Sequence, residues 1–351
     1  MKYEEYIDLR SDTVTLPTEE MLEAIKHAKL GDDVFEEDPT VNQLQELAAH
    51  KMGKEAALLV PSGTQANLVS VMSNTNHGEL VFLESESHIY WYEAGSISAI
   101  AGLLPWPIKS QTGAINPTDL EAAIRPPNVH FPNPTLVCIE NTHNRHGGTI
   151  TKPNQIEALS EVAQAHKLKI HMDGARIFNA AIALGVDVKK FTKHVDSLMF
   201  CLSKGLSCPI GSIVVGNTEF IEKARRARKV LGGGMRQAGI IAAPGIVALE
   251  KMIDRLKEDH DNAKFLAEKL VKLDAVKLNM ENVQTNMVTF ELDPIKITGD
   301  TFLNELKENG ILALAQADNK IRLVTHYGIT RKHVEKAADA IENILTTKTS
   351  R

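Results

Sequence analysis

Residues 197–206 read SLMFCLSKGL, an apolar run that ends just before Lys204. A second apolar run, LKIHM at residues 168–172, ends at Asp173. Both runs have the length and composition of buried strands. Open α/β sheets bind their ligands at the carboxyl ends of their strands. The sequence therefore predicts that a lysine and an aspartate lie together at the ligand-binding edge of such a sheet.

A lysine and a carboxylate in this position suit pyridoxal phosphate. This cofactor needs a lysine for its Schiff base and a carboxylate for its pyridinium nitrogen. Taken alone, Lys204 is typical of a solvated surface charge, and Asp173 of a turn former or helix cap. Their combination at two predicted strand ends favours the cofactor.

The segments around these runs alternate between helical and strand-like patterns. Helical spacing is found at residues 41–52, 63–72 and 156–166, and strand-like runs at 56–60, 80–83 and 136–139. Such alternation is typical of βαβ units. We therefore predict the α/β class, with a mostly parallel sheet sandwiched by helices on both faces.

A different pattern begins near residue 245. The predicted elements there are one long charged helix, two strands and a closing helix, at residues 246–273, 287–292, 321–325 and 331–345. We predict a large cofactor-binding domain with the N-terminal segment at residues 1–245. A smaller α+β domain is predicted at residues 246–351, joined rigidly through the long helix.

Composition narrows the class of protein. The 351 residues carry a net charge of −6, which gives no support to a nucleic-acid partner. The three cysteines form no CxxC pair, and this argues against a disulfide framework and a cysteine zinc site. The N-terminus has no apolar signal region, and no run is long enough to span a membrane. We predict a reduced, soluble, cytoplasmic protein without a membrane partner.

Residues 61–67, PSGTQAN, join a predicted strand to a predicted helix. Gly63 permits a tight turn, and Thr64 lies beside the first free N–H groups of the helix. These groups can hold a phosphate, because helix N-termini carry unsatisfied donors and a positive dipole end. On this motif alone, a helix start capped by its own side chains stays an open alternative.

Histidines and arginines extend the predicted site. His88 follows the strand-like run at 80–83, where its ring could stack on a pyridine ring, although a hydrogen-bonded loop histidine is the alternative. His143 and His146 have no third ligand nearby in the sequence, so we predict no metal. Arg176 and Arg322 could grip a substrate carboxylate, which guanidinium groups bind in a bidentate manner.

Several longer motifs carry a family resemblance. They are DLRSDTVT (8–15), GDDVFEEDPT (31–40), GTQAN (63–67), ENTHN (140–144), HMDGARIFN (171–179), CLSKG (201–205) and GGGMRQ (232–237). In this order and spacing they resemble the low-specificity L-threonine aldolases, a family of fold type I pyridoxal-phosphate enzymes. The resemblance extends from the N-terminus through the last helix.

The resemblance implies roles for the residues that hold the cofactor. Lys204 would form the Schiff base, Asp173 would pair with the pyridinium nitrogen, and His88 would stack on the ring. The implied cofactor-binding residues are Gly63, Thr64, His88, Asp173, Arg176, Ser203 and Lys204.

The resemblance also implies a substrate site. The implied residues are Ser11, His130, Arg176, Arg236 and Arg322. Ser11 and the arginines at 176 and 322 would bind the substrate carboxylate, and His130 would reach the substrate side chain. Arg236 would enter the site of a neighbouring subunit, because family members are usually homotetramers with sites at subunit interfaces. Phe35 departs from the tyrosine of many relatives, so any hydroxyl contact at this position is lost.

The implied activity is cleavage of L-threonine, L-allo-threonine or related β-hydroxy-α-amino acids to glycine and acetaldehyde. The base is expected to be His88, His130 or a water that they hold. A β-eliminating lyase or an aminotransferase of the same fold type is the alternative, although residues 10–15 and the loop at 232–237 favour the aldolase. A non-catalytic oligomer is a further alternative, and Lys204 and Asp173 argue against it.

Overall fold

The structure is a computed structural model that describes residues 6–349, with side chains through residue 346. Residues 1–5 and 350–351 of the two predicted domains lie outside this range. The strands are β1 (Ile7–Asp8), β2 (Ala56–Val60), β3 (Leu80–Glu84), β4 (Leu104–Ile108), β5 (Pro134–Glu140), β6 (Lys169–Asp173), β7 (Ser197–Cys201), β8 (Ser212–Gly216), β9 (Val276–Lys277), β10 (Met287–Leu292), β11 (Ile311–Leu312), β12 (Leu314–Ala317) and β13 (Lys320–Val324).

Helices alternate with these strands through the first two thirds of the chain. The α-helices are α1 (Glu19–Lys26), α2 (Pro39–Met52), α3 (Gly63–Asn74), α4 (His88–Trp91), α5 (Ser96–Ala99), α6 (Pro117–Ala123), α7 (Pro153–Ala165), α8 (Ile177–Leu184), α9 (Lys189–Thr192), α10 (Thr218–Val230), α11 (Gly239–Val247), α12 (Leu256–Leu270), α13 (Gly299–Glu308) and α14 (Arg331–Thr349). Among the described residues, no helix is both long and apolar enough to cross a membrane.

The large sheet has seven strands in the order β2-β8-β7-β6-β5-β3-β4. Of these strands, β8 runs antiparallel to both of its neighbours, and the other pairs are parallel. Every residue of β3, β7 and β8 is buried, as expected when helices cover both faces of a sheet. The predicted α/β class with a mostly parallel sheet is confirmed.

The register of β5, β6 and β7 places the residues at their carboxyl ends side by side. Glu140 of β5 is level with Asp173 of β6, which is level with Met199 of β7. Because these strands are parallel, the loops that follow them leave the sheet at the same edge. Lys204 follows β7 at this edge, and the α3 helix starts after β2 on the same sheet.

The start of α3 is determined by its first residues. The Ser62 side chain accepts a hydrogen bond from the Gln65 backbone N–H, which caps the helix. A Cβ atom on Gly63 would lie 3.0 Å from the Sγ atom of Cys201. Glycine is therefore needed at this position because the helix start packs closely against the end of β7.

The C-terminal third forms a smaller α+β part. Its antiparallel sheet has the order β12-β13-β10-β9, and α12 and α14 pack against each other. The buried core of this part includes Phe302 and Ile341, together with Ile7 and Leu9 from the N-terminal segment. The N-terminal segment therefore packs against the C-terminal part, although the sequence analysis grouped it with the large domain. The division near residue 245 stays a prediction.

The single long helix predicted at 246–273 is wrong. The chain forms α11, then a π-helical turn at Ala248–Met252, and α12 begins only at Leu256. Pro244 within α11 lacks a backbone donor, and π turns and prolines are common causes of helix kinks. A π turn adds one residue to a helical turn, and apolar spacing over so few residues does not reveal it.

Two strands of the large sheet were not predicted from the sequence. β4 contains Pro105 and Pro107 and forms the edge of the large sheet beside β3. Proline is tolerated at sheet edges but weakens a strand pattern in the sequence. β8 lies between β2 and β7 and has the same five-residue length and a similar apolar composition, so its omission has no physical reason in its local sequence.

Candidate active site

A cavity of about 180 Å³ lies at the carboxyl ends of the central strands. Its lining residues are Ser11, Thr13, His88, Glu140, Asn144, Asp173, Ala175, Arg176, Lys204 and Arg322. Six of the sequence-predicted site residues are among them. Because β13 contributes Arg322 and the N-terminal segment contributes Ser11, the cavity lies between the large sheet and the smaller C-terminal part.

Lys204 is held by its backbone and not by its side chain. Its carbonyl oxygen accepts hydrogen bonds from Thr15 Oγ1 at 2.9 Å and from the Ser207 N–H at 2.8 Å. Within residues 6–346, no hydrogen bond or ion pair engages its ammonium group. The amine therefore faces the cavity and is available for covalent chemistry.

Asp173 is a buried carboxylate with two local donors. Its Oδ1 accepts from the Ala175 N–H at 3.0 Å, and its Oδ2 accepts from Asn67 Nδ2 at 2.8 Å. Burial alone would raise the pKa of Asp173, but the charges of His88 and Lys204 and these hydrogen bonds hold it below its ordinary value. The carboxylate therefore stays ionised and can pair with a cation in the cavity.

His88 is oriented by a glutamate that the sequence analysis did not identify. Its Nδ1 lies 2.9 Å from Oε1 of Glu93, and its backbone N–H donates to Oε2 of Glu140 at 2.7 Å. Burial alone would lower the pKa of His88, but the Glu93 hydrogen bond and the Asp173 charge raise it above its ordinary value. With Nδ1 engaged, the Nε2 atom is the one left for a ligand.

Asn67 and His171 form a buried layer beneath the carboxylates. The Asn67 amide donates to Glu93 as well as to Asp173, so its Oδ1 atom must face His171 Nε2, at 3.2 Å. His171 therefore carries its proton on Nε2, and its Nδ1 accepts from Ser197 Oγ at 3.0 Å. Burial lowers the pKa of His171 to about 4, so the ring is neutral at neutral pH.

Arg176 is anchored by a residue of the N-terminal segment. Its Nε and Nη2 atoms donate to the two carboxylate oxygens of Asp12, each at 2.6 Å. Burial alone would raise the pKa of Asp12, but Arg176 holds it well below its ordinary value. Only Nη1 of the Arg176 guanidinium is left to reach the cavity. The bidentate pair that we expected between this arginine and a substrate carboxylate is instead formed with Asp12.

Arg322 keeps a hydrogen-bond donor that no described residue engages. Its Nη1 donates to Asn144 Oδ1 at 2.7 Å and its Nη2 to the Arg10 carbonyl at 3.1 Å, whereas its buried Nε has no partner among residues 6–346. Burial, followed by the charge of Arg176, lowers the pKa of Arg322 to about 10. A buried, incompletely paired guanidinium beside a second one is suited to bind a carboxylate.

Other predicted residues lie outside this cavity. His130 is on the exposed loop between α6 and β5, and its backbone N–H donates to Asn128 Oδ1 at 2.9 Å. Arg236 pairs with Asp32 at 3.0 Å and leaves 54% of its side chain exposed. The single chain therefore does not bring His130 or Arg236 to the site. Phe35 is also largely exposed, at 68%.

The phosphate-binding residues predicted from the sequence do not line this cavity. Gly63 and Thr64 begin α3, and Ser203 immediately precedes Lys204. The Ser62 cap engages the Gln65 N–H and leaves the N–H groups of Gly63 and Thr64 uncapped by it. These donors suit a phosphate.

The site fits pyridoxal phosphate on its own geometry. A free lysine amine, an ionised buried carboxylate and an oriented imidazole border one cavity. The start of α3, with its N–H donors, packs against Cys201 at the end of β7, three residues before Lys204. The seven-stranded, mostly parallel sheet and the smaller C-terminal part complete the architecture of fold type I pyridoxal-phosphate enzymes.

Comparison with known proteins gives the family. The Beta-eliminating lyase family matches residues 8–293. Low-specificity L-threonine aldolase 1 of Arabidopsis thaliana is 44% identical over 346 residues, 97% of either chain. The low specificity L-threonine aldolase of Escherichia coli (strain K12) is 42% identical over 95% of this chain and 97% of that one. The solved threonine aldolase of Leishmania major has the same fold, with a TM-score of 0.83 at 19% identity over 97% of this chain and 99% of that one.

The chain therefore belongs to the Beta-eliminating lyase family. Its identity to these relatives over nearly the whole chain also makes it a member of the low-specificity L-threonine aldolases. The resemblance found in the sequence is confirmed. Sequence reasoning missed Asn67, Glu93 and Glu140 as parts of the site. Asn67 and Glu140 lie inside the family motifs, but a motif does not show where its side chains point.

Proposed function

We propose that this chain is an aldehyde-lyase that uses pyridoxal phosphate to cleave L-threonine, L-allo-threonine and related β-hydroxy-α-amino acids to glycine and acetaldehyde. The observation that carries the proposal is the free amine of Lys204 in one cavity with the buried, ionised Asp173 and the incompletely paired Arg322. The similarity to threonine aldolases over nearly the whole chain supports it.

The residues that would hold the cofactor follow from this geometry. Lys204 would bind it covalently, Asp173 would face its ring nitrogen, and His88 would lie over its ring. The N–H groups of Gly63 and Thr64, with Ser203, would hold its phosphate. When bound, pyridoxal phosphate supplies an electron sink for the electron pair that remains on Cα after the Cα–Cβ bond breaks.

The arginines would bind and orient the amino acid. Arg322 offers its unpartnered Nε and Arg176 its Nη1, and the Ser11 hydroxyl lies on the same wall. A carboxylate fixed at these donors restricts rotation about the substrate's Cα. It would therefore hold the Cα–Cβ bond in the orientation that favours cleavage.

His88 is the best-placed group for moving the β-hydroxyl proton. Glu93 holds its Nδ1, so Nε2 can accept a proton either directly or through a water. His130 lies on an exposed loop of the single chain and would need to approach from elsewhere. We therefore assign the proton transfer to His88, with His130 proposed to contact the substrate side chain.

Assembly and location form a second part of the proposal. We infer a homotetramer in the cytoplasm that serves glycine formation, with active sites at subunit interfaces. The side chain of Arg236 is exposed and does not line the cavity of its own chain, which supports a role in the site of a neighbour. The division into domains at residues 1–245 and 246–351 is also proposed, on the change of sequence pattern near residue 245.

A product analysis tests the activity. Purified protein with added pyridoxal phosphate is incubated with L-threonine, and acetaldehyde, glycine, ammonia and 2-oxobutyrate are measured together. Equal amounts of acetaldehyde and glycine are expected, and a Lys204→Ala variant is expected to form neither. Ammonia with 2-oxobutyrate would overturn the aldolase assignment and favour a dehydrating lyase, the alternative suggested by the family match.

A further inference from the structure

Three potential metal ligands converge outside the residues that have been given a role above. Glu84, His143 and His146 each offer one ligand atom, and these atoms all lie within 4.8 Å of one another. Glu84 and His143 are almost fully buried, and the side chain of His146 is 18% exposed. The third ligand was not visible in the sequence, because two strands and three helices separate Glu84 from the histidines.

Three ring nitrogens of these histidines are buried and make no well-aligned hydrogen bond within residues 6–346. His143 Nε2 lies 2.9 Å from Glu84 Oε2, but the atoms are not aligned as in a hydrogen bond. Nδ1 of His143 is buried without a hydrogen-bond partner among residues 6–346, and the buried Nε2 of His146 lies 3.7 Å from Glu84 Oε1, beyond hydrogen-bond distance. Buried polar atoms without partners are rare in native proteins, and each calls for an explanation such as an ion.

The surrounding backbone holds the cluster in place. Glu84 ends β3, and its carboxylate accepts hydrogen bonds from Ser85 Oγ at 3.1 Å and the Glu86 N–H at 2.7 Å. Such outer contacts are typical of carboxylates that bind metals. The histidines lie on a tight loop in which the His143 N–H donates to Thr149 and the two rings lie 4.7 Å apart.

The geometry points to a binding site for one divalent metal ion of the zinc type, with Glu84, His143 and His146 as protein ligands. Imidazole and carboxylate are ligands that zinc accepts readily, and bonds of about 2.0–2.1 Å place tetrahedral ligand atoms about 3.3 Å apart. His143 Nε2 lies 2.9 Å from Oε2 of Glu84 and His146 Nε2 lies 3.7 Å from Oε1, so each histidine faces a different oxygen of the carboxylate at a distance close to this value.

The site has a route to solvent. His146 and Gly147 line a cleft of about 510 Å³ that is separate from the active-site cavity. The cleft would admit the ion and leave a coordination position for water. The ion would also join the end of β3 to the loop that carries Asn144, the acceptor of Arg322 Nη1. The site itself does not depend on the aldolase reaction.

Cobalt binding tests the proposal. Untagged holoenzyme is treated with a chelator, desalted into a buffer without amines, and titrated with Co²⁺ by calorimetry and visible absorption. One Co²⁺ per chain is expected, with displacement by Zn²⁺. His146→Gln is expected to weaken Co²⁺ binding by at least about tenfold, because loss of a ligand should exceed the effect of losing an outer contact.

His194→Gln is the matched control. The side chain of His194 is also 18% exposed, and its Nε2 also lies 3.7 Å from a glutamate, Glu157, but it belongs to no cluster of three ligands among the described residues. Co²⁺ binding should be unchanged in this variant. The proposal is overturned if the wild type binds no stoichiometric Co²⁺, or if His146→Gln binds it as tightly as His194→Gln does. The cluster would then be an internal ion pair.

Discussion

Asn67 donates a hydrogen bond from Nδ2 to Oδ2 of Asp173 across 2.8 Å. The same amide donates to Glu93 at 2.7 Å, and its oxygen faces His171 at 3.2 Å. One side chain of α3 therefore orients two carboxylates, the one proposed to face the cofactor nitrogen and the one that holds His88. It connects the helix start at the predicted phosphate site to the strand ends.

Asn67→Ala is expected to weaken pyridoxal-phosphate binding by about tenfold or more, because Asp173 and Glu93 each lose a donor. The free energy of unfolding should fall by about 2–3 kcal/mol, since buried charged groups lose hydrogen bonds. Cofactor titration by absorbance and chemical denaturation measure the two effects separately.

Asn74→Ala provides the control for this prediction. Asn74 is buried on the same helix and donates to Ser197 Oγ at 2.9 Å, but it contacts neither carboxylate. It should lose stability and keep its cofactor affinity. If both variants lost cofactor affinity equally, the effect would come from helix packing and not from the Asn67 contacts.

Arg322→Gln should raise the KM for L-threonine by about tenfold to a hundredfold, because a charge-assisted contact to the carboxylate contributes about 1.5–3 kcal/mol. A smaller change is expected in kcat. Steady-state kinetics at saturating cofactor measure both constants. Arg145→Gln is the control, since Arg145 donates to the Gln316 carbonyl at 2.7 Å and does not line the cavity. An unchanged KM in Arg322→Gln would remove this arginine from substrate binding.

The Glu93–His88 contact predicts a pH dependence. A base must be deprotonated to accept a proton, so kcat/KM should rise as the pH passes through the pKa of His88, which Glu93 and Asp173 raise. Glu93→Gln removes one of these charges and should move the rising limb of the pH profile to lower pH. Glu121→Gln, which alters a similar 2.9 Å contact to the surface residue His166, should leave the profile unchanged. A limb that does not move in Glu93→Gln would exclude His88 as the titrating base.

Complementation between inactive chains tests the role proposed for Arg236. Lys204→Ala and Arg236→Ala are each expected to be nearly inactive alone. Co-assembled oligomers should regain activity if Arg236 acts on a neighbour, because some sites then contain both Lys204 and Arg236. The measurement is specific activity after the two chains are co-expressed with different tags and purified through both. Absence of recovery in verified mixed oligomers would place Arg236 outside the neighbouring site.

Local sequence predicted the large sheet well. The run at 56–60 coincides with β2, and the runs that end near Asp173 and Lys204 are β6 and β7. These predictions succeed because a buried strand between turn-forming residues has a pattern that depends mainly on its own residues. The interruption between α11 and α12 was missed because the π-helical turn covers only five residues, too few for the apolar spacing to reveal the extra residue.

Side-chain contacts between residues that are distant in sequence could not be predicted from local patterns. Arg176 was expected to bind a substrate carboxylate, and the structure shows its fork engaged by Asp12, 164 residues away. The Glu84 ligand beside His143 was likewise not apparent. A single sequence contains no direct measure of the distance between such residues. An aspartate that pairs with a buried arginine looks the same in the sequence as one that is exposed to solvent.

The sequence by itself determined the family, five of the seven strands of the large sheet and the residues that carry the proposed chemistry, because these depend on local patterns and on motifs. Only the tertiary structure decided which groups face one another. The parallel register places Glu140 level with Asp173, and the packing of α3 brings Asn67 to the same carboxylate. Protonation, charge pairing and metal ligation depend on distances of a few ångströms, and these distances arise only when the chain has packed.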